Sequence, residues 1–148
     1  MQKDDQQPAA GEGAEAGRGL SDDRPVPAQR PVGIVDDDEP MVDSLGLLLA
    51  ANGFEVIAHS SGPALLDDER RRLIGCLVID QHMPAMDGLT VIAALNRENL
   101  SIPTVLVTGR LDSGVAERAG ALGVTILEKP FPAARLLDLI RAGLGRGR

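Results

Sequence analysis

The segment Cys76-Leu77-Val78-Ile79-Asp80-Gln81-His82-Met83-Pro84-Ala85-Met86-Asp87-Gly88 decides how this chain is read. Four β-prone apolar residues follow Gly75 and run into a Pro-containing loop, so residues 76–79 are predicted as a strand buried on both faces. Strands of that kind belong to parallel sheets covered on both sides. Asp80, at the end of the run, stands where such a sheet opens to solvent. Asp87-Gly88 reads as a turn, with Asp87 also suited to cap the next helix, whose inward residues are Leu89, Ile92 and Leu95.

The same alternation extends in both directions. Upstream, residues 32–35 form a first strand that runs into Asp36-Asp37-Asp38-Glu39. Pro40 opens a helix with the apolar stripe Met41, Leu45, Leu48 and Leu49, and Asn52-Gly53 ends it with left-handed cap chemistry. Residues 54–58 are predicted as a second strand, with Glu55 where an edge strand allows it, and His59 as exposed. Ser61-Gly62-Pro63 starts a polar helix expected to reach about Arg72. Downstream, residues 103–107 form a fourth strand ending in Thr108-Gly109, and a short helix from Ser113 to Leu122 stops at Gly123. Residues 124–127 form a fifth strand that continues through Glu128 to Lys129-Pro130-Phe131. A last helix over residues 132–144 turns Leu136, Leu137 and Ile140 inward. Five strands alternating with five helices predict an α/β fold with a doubly wound five-stranded parallel sheet. No internal repeat is present.

At 148 residues the chain holds one core, so one domain over 31–144 is expected, with a tail at each end. Residues 1–30, rich in Gly, Ala, Pro, Gln and charge, bury too little to offset ordering and are expected to be a disordered tail. Residues 145–148 read as a frayed tail, because their glycines and arginines follow a helix instead of opening one. The only aromatics are Phe54 and Phe131, which argues against stacking platforms for single-stranded nucleic acid. The net charge of −7 argues against a phosphate-backbone binder. The lone Cys76 reads as a core residue and excludes a disulfide framework. No membrane span or signal segment is recognisable, so a soluble cytoplasmic protein is expected.

Four of the five predicted strands end in chemistry at one edge: Asp36 to Glu39, Asp80, Thr108-Gly109 and Lys129-Pro130. Converging carboxylates repel one another, and a hard cation such as Mg²⁺ relieves that repulsion. Asp80 kept ionised in this way is a candidate nucleophile toward phosphorus. Mg²⁺ is placed to cover one phosphoryl oxygen, the Lys129 ammonium a second and the Thr108 hydroxyl or a backbone N–H the third, and Gly109 leaves room for the group to enter.

With these residues in place the chain resembles a response-regulator receiver domain, close in pattern to nitrogen-fixation-type regulators. The strings that carry the resemblance are Val35-Asp36-Asp37-Asp38-Glu39-Pro40, the segment from Asp80 to Gly88, Val107-Thr108-Gly109, and Glu128-Lys129-Pro130-Phe131. The resemblance implies a (βα)5 flavodoxin-like sheet in the order 2-1-3-4-5. It implies Asp80 as phosphoacceptor, with Mg²⁺ held directly by Asp37, by Asp36 through water or as a second ligand, by Asp80 and by the His82 main-chain carbonyl. It implies Lys129 as phosphoryl ligand, Thr108 as switch hydroxyl and a cis Lys129-Pro130 bond. The donor would be a histidine kinase or phosphotransfer protein, and the output an unidentified protein target, with no direct binding of nucleic acid or membrane. The chain would catalyse only its own phosphorylation and dephosphorylation. No helix-turn-helix domain is expected after Leu144, so a single-domain regulator is the reading.

Two positions depart from the family pattern. Ile126 occupies the slot where an aromatic partner of the threonine is usual, and the interval from Thr108 to Lys129 is one residue short, within Arg110-Leu111-Asp112. The His82 side chain reads as a rim group of the pocket that tunes hydrolysis. Competing readings are an interaction module that has lost switching, motivated by Ile126, and a phosphohydrolase using an aspartyl phosphate. Such hydrolases commonly carry Asp-x-Asp, and His82 stands at the second position. A flavodoxin-like carrier is disfavoured because the aspartates after the first strand repel a flavin phosphate.

Overall fold

The computed structural model describes residues 29–146. The expected disordered tail falls almost entirely on residues outside that range. Among the described residues the order is β1 (Val32–Val35), α1 (Glu39–Ala51), β2 (Val56–His59), α2 (Gly62–Asp67), a 3₁₀ segment (Glu69–Leu73), β3 (Cys76–Asp80), α3 (Gly88–Arg97), β4 (Thr104–Thr108), α4 (Ser113–Leu122), β5 (Thr125–Glu128) and α5 (Ala133–Arg146). The five strands are all parallel and lie in the order β2-β1-β3-β4-β5, as the resemblance implies.

The central strands are buried on both faces, and their side chains still sort by the period of two. Val32 and Ile34 of β1 and Cys76 and Val78 of β3 enter one core with Leu45 and Leu49 of α1 and Leu136 and Ile140 of α5. Leu77 and Ile79 of β3 and Leu106 of β4 enter the other, with Leu65 of α2, Leu89 and Ile92 of α3, and Val115 of α4. Asp36 and Asp80 continue the parity of Ile34 and Val78, one residue past and at the end of their strands. Strand register therefore carries both carboxylates toward the α1–α5 face.

Local signals set most helix ends. The side chains of Asp38, Ser61, Asp87 and Asp112 accept amide protons from the first turns of α1, α2, α3 and α4. Gly123 ends α4 in the left-handed region at φ +70°.

Three expectations need correction. The helix expected to run to Arg72 stops at Asp67. Asp68 ends it with extended backbone, and its carboxylate accepts the Arg70 amide to start the 3₁₀ segment. That turn buries Arg71, whose Nε lies 3.0 Å from Glu98 Oε1. His59 is not exposed: its side chain is 9% accessible and its Nε2 lies 2.8 Å from Asp68 Oδ2. Residues 145 and 146 belong to α5, which continues past the boundary expected at Leu144. Smaller shifts of one or two residues occur in β2, β4 and β5.

Candidate functional site

The C-terminal edge of the sheet assembles the site. Asp36 follows β1, Asp80 closes β3, Thr108 closes β4 and Lys129 follows β5. Together Asp36, Asp37, Asp38, Asp80, His82, Gly109, Arg110 and Lys129 line an open cleft of about 380 Å³. A Cβ built on Gly109 would meet nothing nearer than Lys129 Cδ at 4.0 Å, so the entrance beside Asp80 is open.

Asp80 is 6% accessible. Its Oδ1 lies 3.1 Å from Lys129 Nζ, and its Oδ2 accepts the His82 amide at 3.1 Å. The backbone after β5 sets the lysine: its N–H donates to the Thr108 carbonyl at 2.8 Å, and Lys129-Pro130 is cis. Asp36 is 4% accessible and accepts the Asp38 amide at 3.0 Å. Burial holds its carboxyl above the ordinary carboxylate range; the Asp38 amide and Lys129 oppose this, while Asp80 and Asp37 add to it.

One carboxylate oxygen from each of Asp36, Asp37 and Asp80 can be chosen so that all lie within 4.8 Å of one another. Asp36 and Asp80 are buried and Asp37 is exposed, and three converging carboxylates fit a hard divalent cation, the donor set being all oxygen. The arrangement suits Mg²⁺ with water and a further oxygen completing the shell.

Thr108 behaves differently from the rest. It is fully buried, and its hydroxyl is not part of the cleft wall. Oγ1 accepts the Arg110 amide at 3.1 Å, donates to the Arg110 carbonyl at 3.0 Å and lies 3.0 Å from His82 Nε2. The His82 ring, expected only at the rim, therefore bridges β3 to the loop after β4. Ile126 is half-buried against the α3–α4 core, on the Thr108 side of the sheet.

Sequence reading missed Gln81. Its buried amide accepts the Leu89 N–H at 3.0 Å and donates to Asp87 Oδ2 at 3.1 Å. Asp87, expected as a cap, does cap α3 and also pairs with Arg118 of α4 at 3.2 Å. Burial raises the Asp87 carboxyl, but hydrogen bonds from Thr90 and Arg118 outweigh it and hold it below the ordinary range. Gly88 permits the close approach of α3 to the site, because a Cβ there would lie 2.6 Å from the Asp80 carbonyl oxygen.

The family model for the response regulator receiver domain matches residues 32–141. The chain belongs to that family. Among related receiver proteins, the transcriptional regulatory protein FixJ of Azorhizobium caulinodans is 37% identical over 122 residues, which cover 82% of this chain and 58% of that protein. The response regulator protein TodT of Pseudomonas putida is 37% identical over 112 residues, covering 75% of this chain and 49% of TodT. The chain thus spans about half the length of the curated relatives it matches. The crystal structure of FixJ-N superposes with a TM-score of 0.73 at 34% identity, over 80% of this chain and 95% of that one. No helix among the described residues is long and apolar enough to cross a membrane.

Proposed function

We propose that this receiver domain accepts a phosphoryl group on Asp80 from a histidine kinase or phosphotransfer protein. The observation that carries the reading is the Asp80 carboxylate at the mouth of the central strand. It is held by Lys129 at 3.1 Å and clustered with Asp36 and Asp37. A carboxylate oxygen of Asp80 attacks phosphorus as the bond to the donor's nitrogen breaks, and the leaving imidazole keeps the electron pair. The product is an acyl phosphate on Asp80, later lost to water. The residues that would hold Mg²⁺ are Asp36, Asp37, Asp80 and the His82 main-chain carbonyl. When bound, the ion supplies positive charge to the phosphoryl oxygens. Lys129 neutralises a second oxygen, and Thr108 is the hydroxyl that turns toward the modified carboxylate.

An apolar hollow of about 650 Å³, lined by residues including Leu45, Leu48, Pro130 and Phe131, shares Gly109 and Lys129 with the cleft. Its continuity with the cleft suits it to seat the donor protein. Phosphorylation would then bias the face built from α4, β5 and α5 toward a downstream protein in the cytoplasm.

The experiment is phosphoryl incorporation from acetyl phosphate. Incorporation should require Mg²⁺ and vanish in Asp80→Asn; equal incorporation by Asp80→Asn would sink the reading.

A further inference from the structure

We propose that the His82 side chain is a positioning residue that holds the Thr108 hydroxyl away from the cleft until Asp80 is modified. The inference rests on the reading of Thr108 as the switch hydroxyl. His82 Nε2 lies 3.0 Å from Thr108 Oγ1 and 3.2 Å from the Arg110 carbonyl oxygen. A bare ring nitrogen there would set its lone pair against that carbonyl. The proton therefore belongs on Nε2, which donates to both oxygens.

With that assignment the Thr108 hydroxyl is fully used. It accepts from the Arg110 amide and from His82, and its single proton goes to the Arg110 carbonyl. None of its capacity points at Asp80. Turning Thr108 toward a phosphoryl oxygen must break the His82 contact, so the loss of that hydrogen bond stands against the switch. Asp80 and His82 are two residues apart, and the His82 amide already donates to Asp80 Oδ2 at 3.1 Å. The main chain of His82 thus touches the reacting carboxylate while its side chain holds the switch, and modification of Asp80 acts directly on the residue that keeps Thr108 in place.

The test is a double-mutant cycle in the full chain, with beryllofluoride in Mg²⁺ as the probe. Calorimetric titration gives affinity, and the Gly109 and Arg110 amide resonances report the loop. His82→Ala should tighten beryllofluoride binding about fivefold, the factor that one neutral hydrogen bond corresponds to. His82→Gln restores an N–H donor and should return the affinity to within about twofold of the parent. With Thr108→Val already present, His82→Ala should change the affinity by less than about twofold, because the partner is gone. Unchanged binding by His82→Ala, no rescue by His82→Gln, or an equal gain without the Thr108 hydroxyl would each overturn the proposal. If the parent binds no beryllofluoride at all, the Asp80 reading falls and takes this one with it. Parent binding with an unaltered His82→Ala overturns the His82 role alone.

Discussion

Replacing Asp36 with Asn should stabilise the metal-free protein while weakening its response to Mg²⁺. Asp36 is 4% accessible, and burial together with Asp80 and Asp37 makes its charge unfavourable. Oxygens within 4.8 Å repel by ~1 kcal/mol per pair in a water-like medium and by ~3 to 4 kcal/mol at an effective dielectric of about 20. Lys129 and the Asp38 amide offset part of this. The net gain on neutralising Asp36 is therefore about 1 to 2 kcal/mol, or about 3 to 6 °C in Tm for a domain of this size. Asn keeps an oxygen for the Asp38 amide, so the local turn is preserved.

The sign with pH follows from the raised carboxyl. Well below the ordinary value of 3.8 the group is neutral in both states, and the penalty is absent. As pH rises through the raised folded-state value the penalty develops, so the gain of Asp36→Asn belongs to neutral pH and should shrink on acidification. Urea melts followed by far-UV circular dichroism are the assay, since the chain has no Trp or Tyr to report by fluorescence. Mg²⁺ should then stabilise the parent more than the variant and close the gap. A variant less stable than the parent in chelator, with a gap indifferent to Mg²⁺, would refute the electrostatic reasoning.

Glu98→Ala should cost about 1 to 2 kcal/mol in urea melts, because Arg71 stays buried without its carboxylate while Glu98 itself is partly solvated. Loss within the error of the melt would contradict that. Gly88→Ala should destabilise by about 1 to 3 kcal/mol and slow phosphorylation, since the added methyl meets the Asp80 carbonyl at 2.6 Å. A stable variant with the parent's labelling rate would show that α3 yields freely. Cys76 is fully buried, and burial pushes its thiol up to about 11. It should therefore react with a disulfide reagent only as fast as the protein opens, and rapid reaction in native buffer would show that the α5 face is loose.

The parts legible in the sequence are those with local causes. Residues 32–35 and 113–122 have the predicted bounds because an apolar run, an Asp cap and a terminating glycine sit within a few residues of them. The acidic cluster and the lysine were legible because each ends a strand, and parallel topology brings those ends together. What was not legible depends on distant partners. Arg71 interrupts the helix after β2 to reach Glu98, 27 residues on, and no periodicity encodes that pairing. His59 is drawn inward by Asp68, and the His82 ring finds Thr108 across 26 residues. Gln81 read as a loop residue because its amide binds the start of a helix that only the folded loop presents.

The central claim is that Asp80 receives the phosphoryl group in an Mg²⁺-dependent reaction. Its most direct test treats the chain with acetyl phosphate, reduces the product with borohydride and locates the modified residue by tandem mass spectrometry. The account predicts homoserine in place of Asp80, formed with Mg²⁺ and absent when the ion is chelated. Modification at another residue, or at Asp80 to the same extent without Mg²⁺, would contradict it.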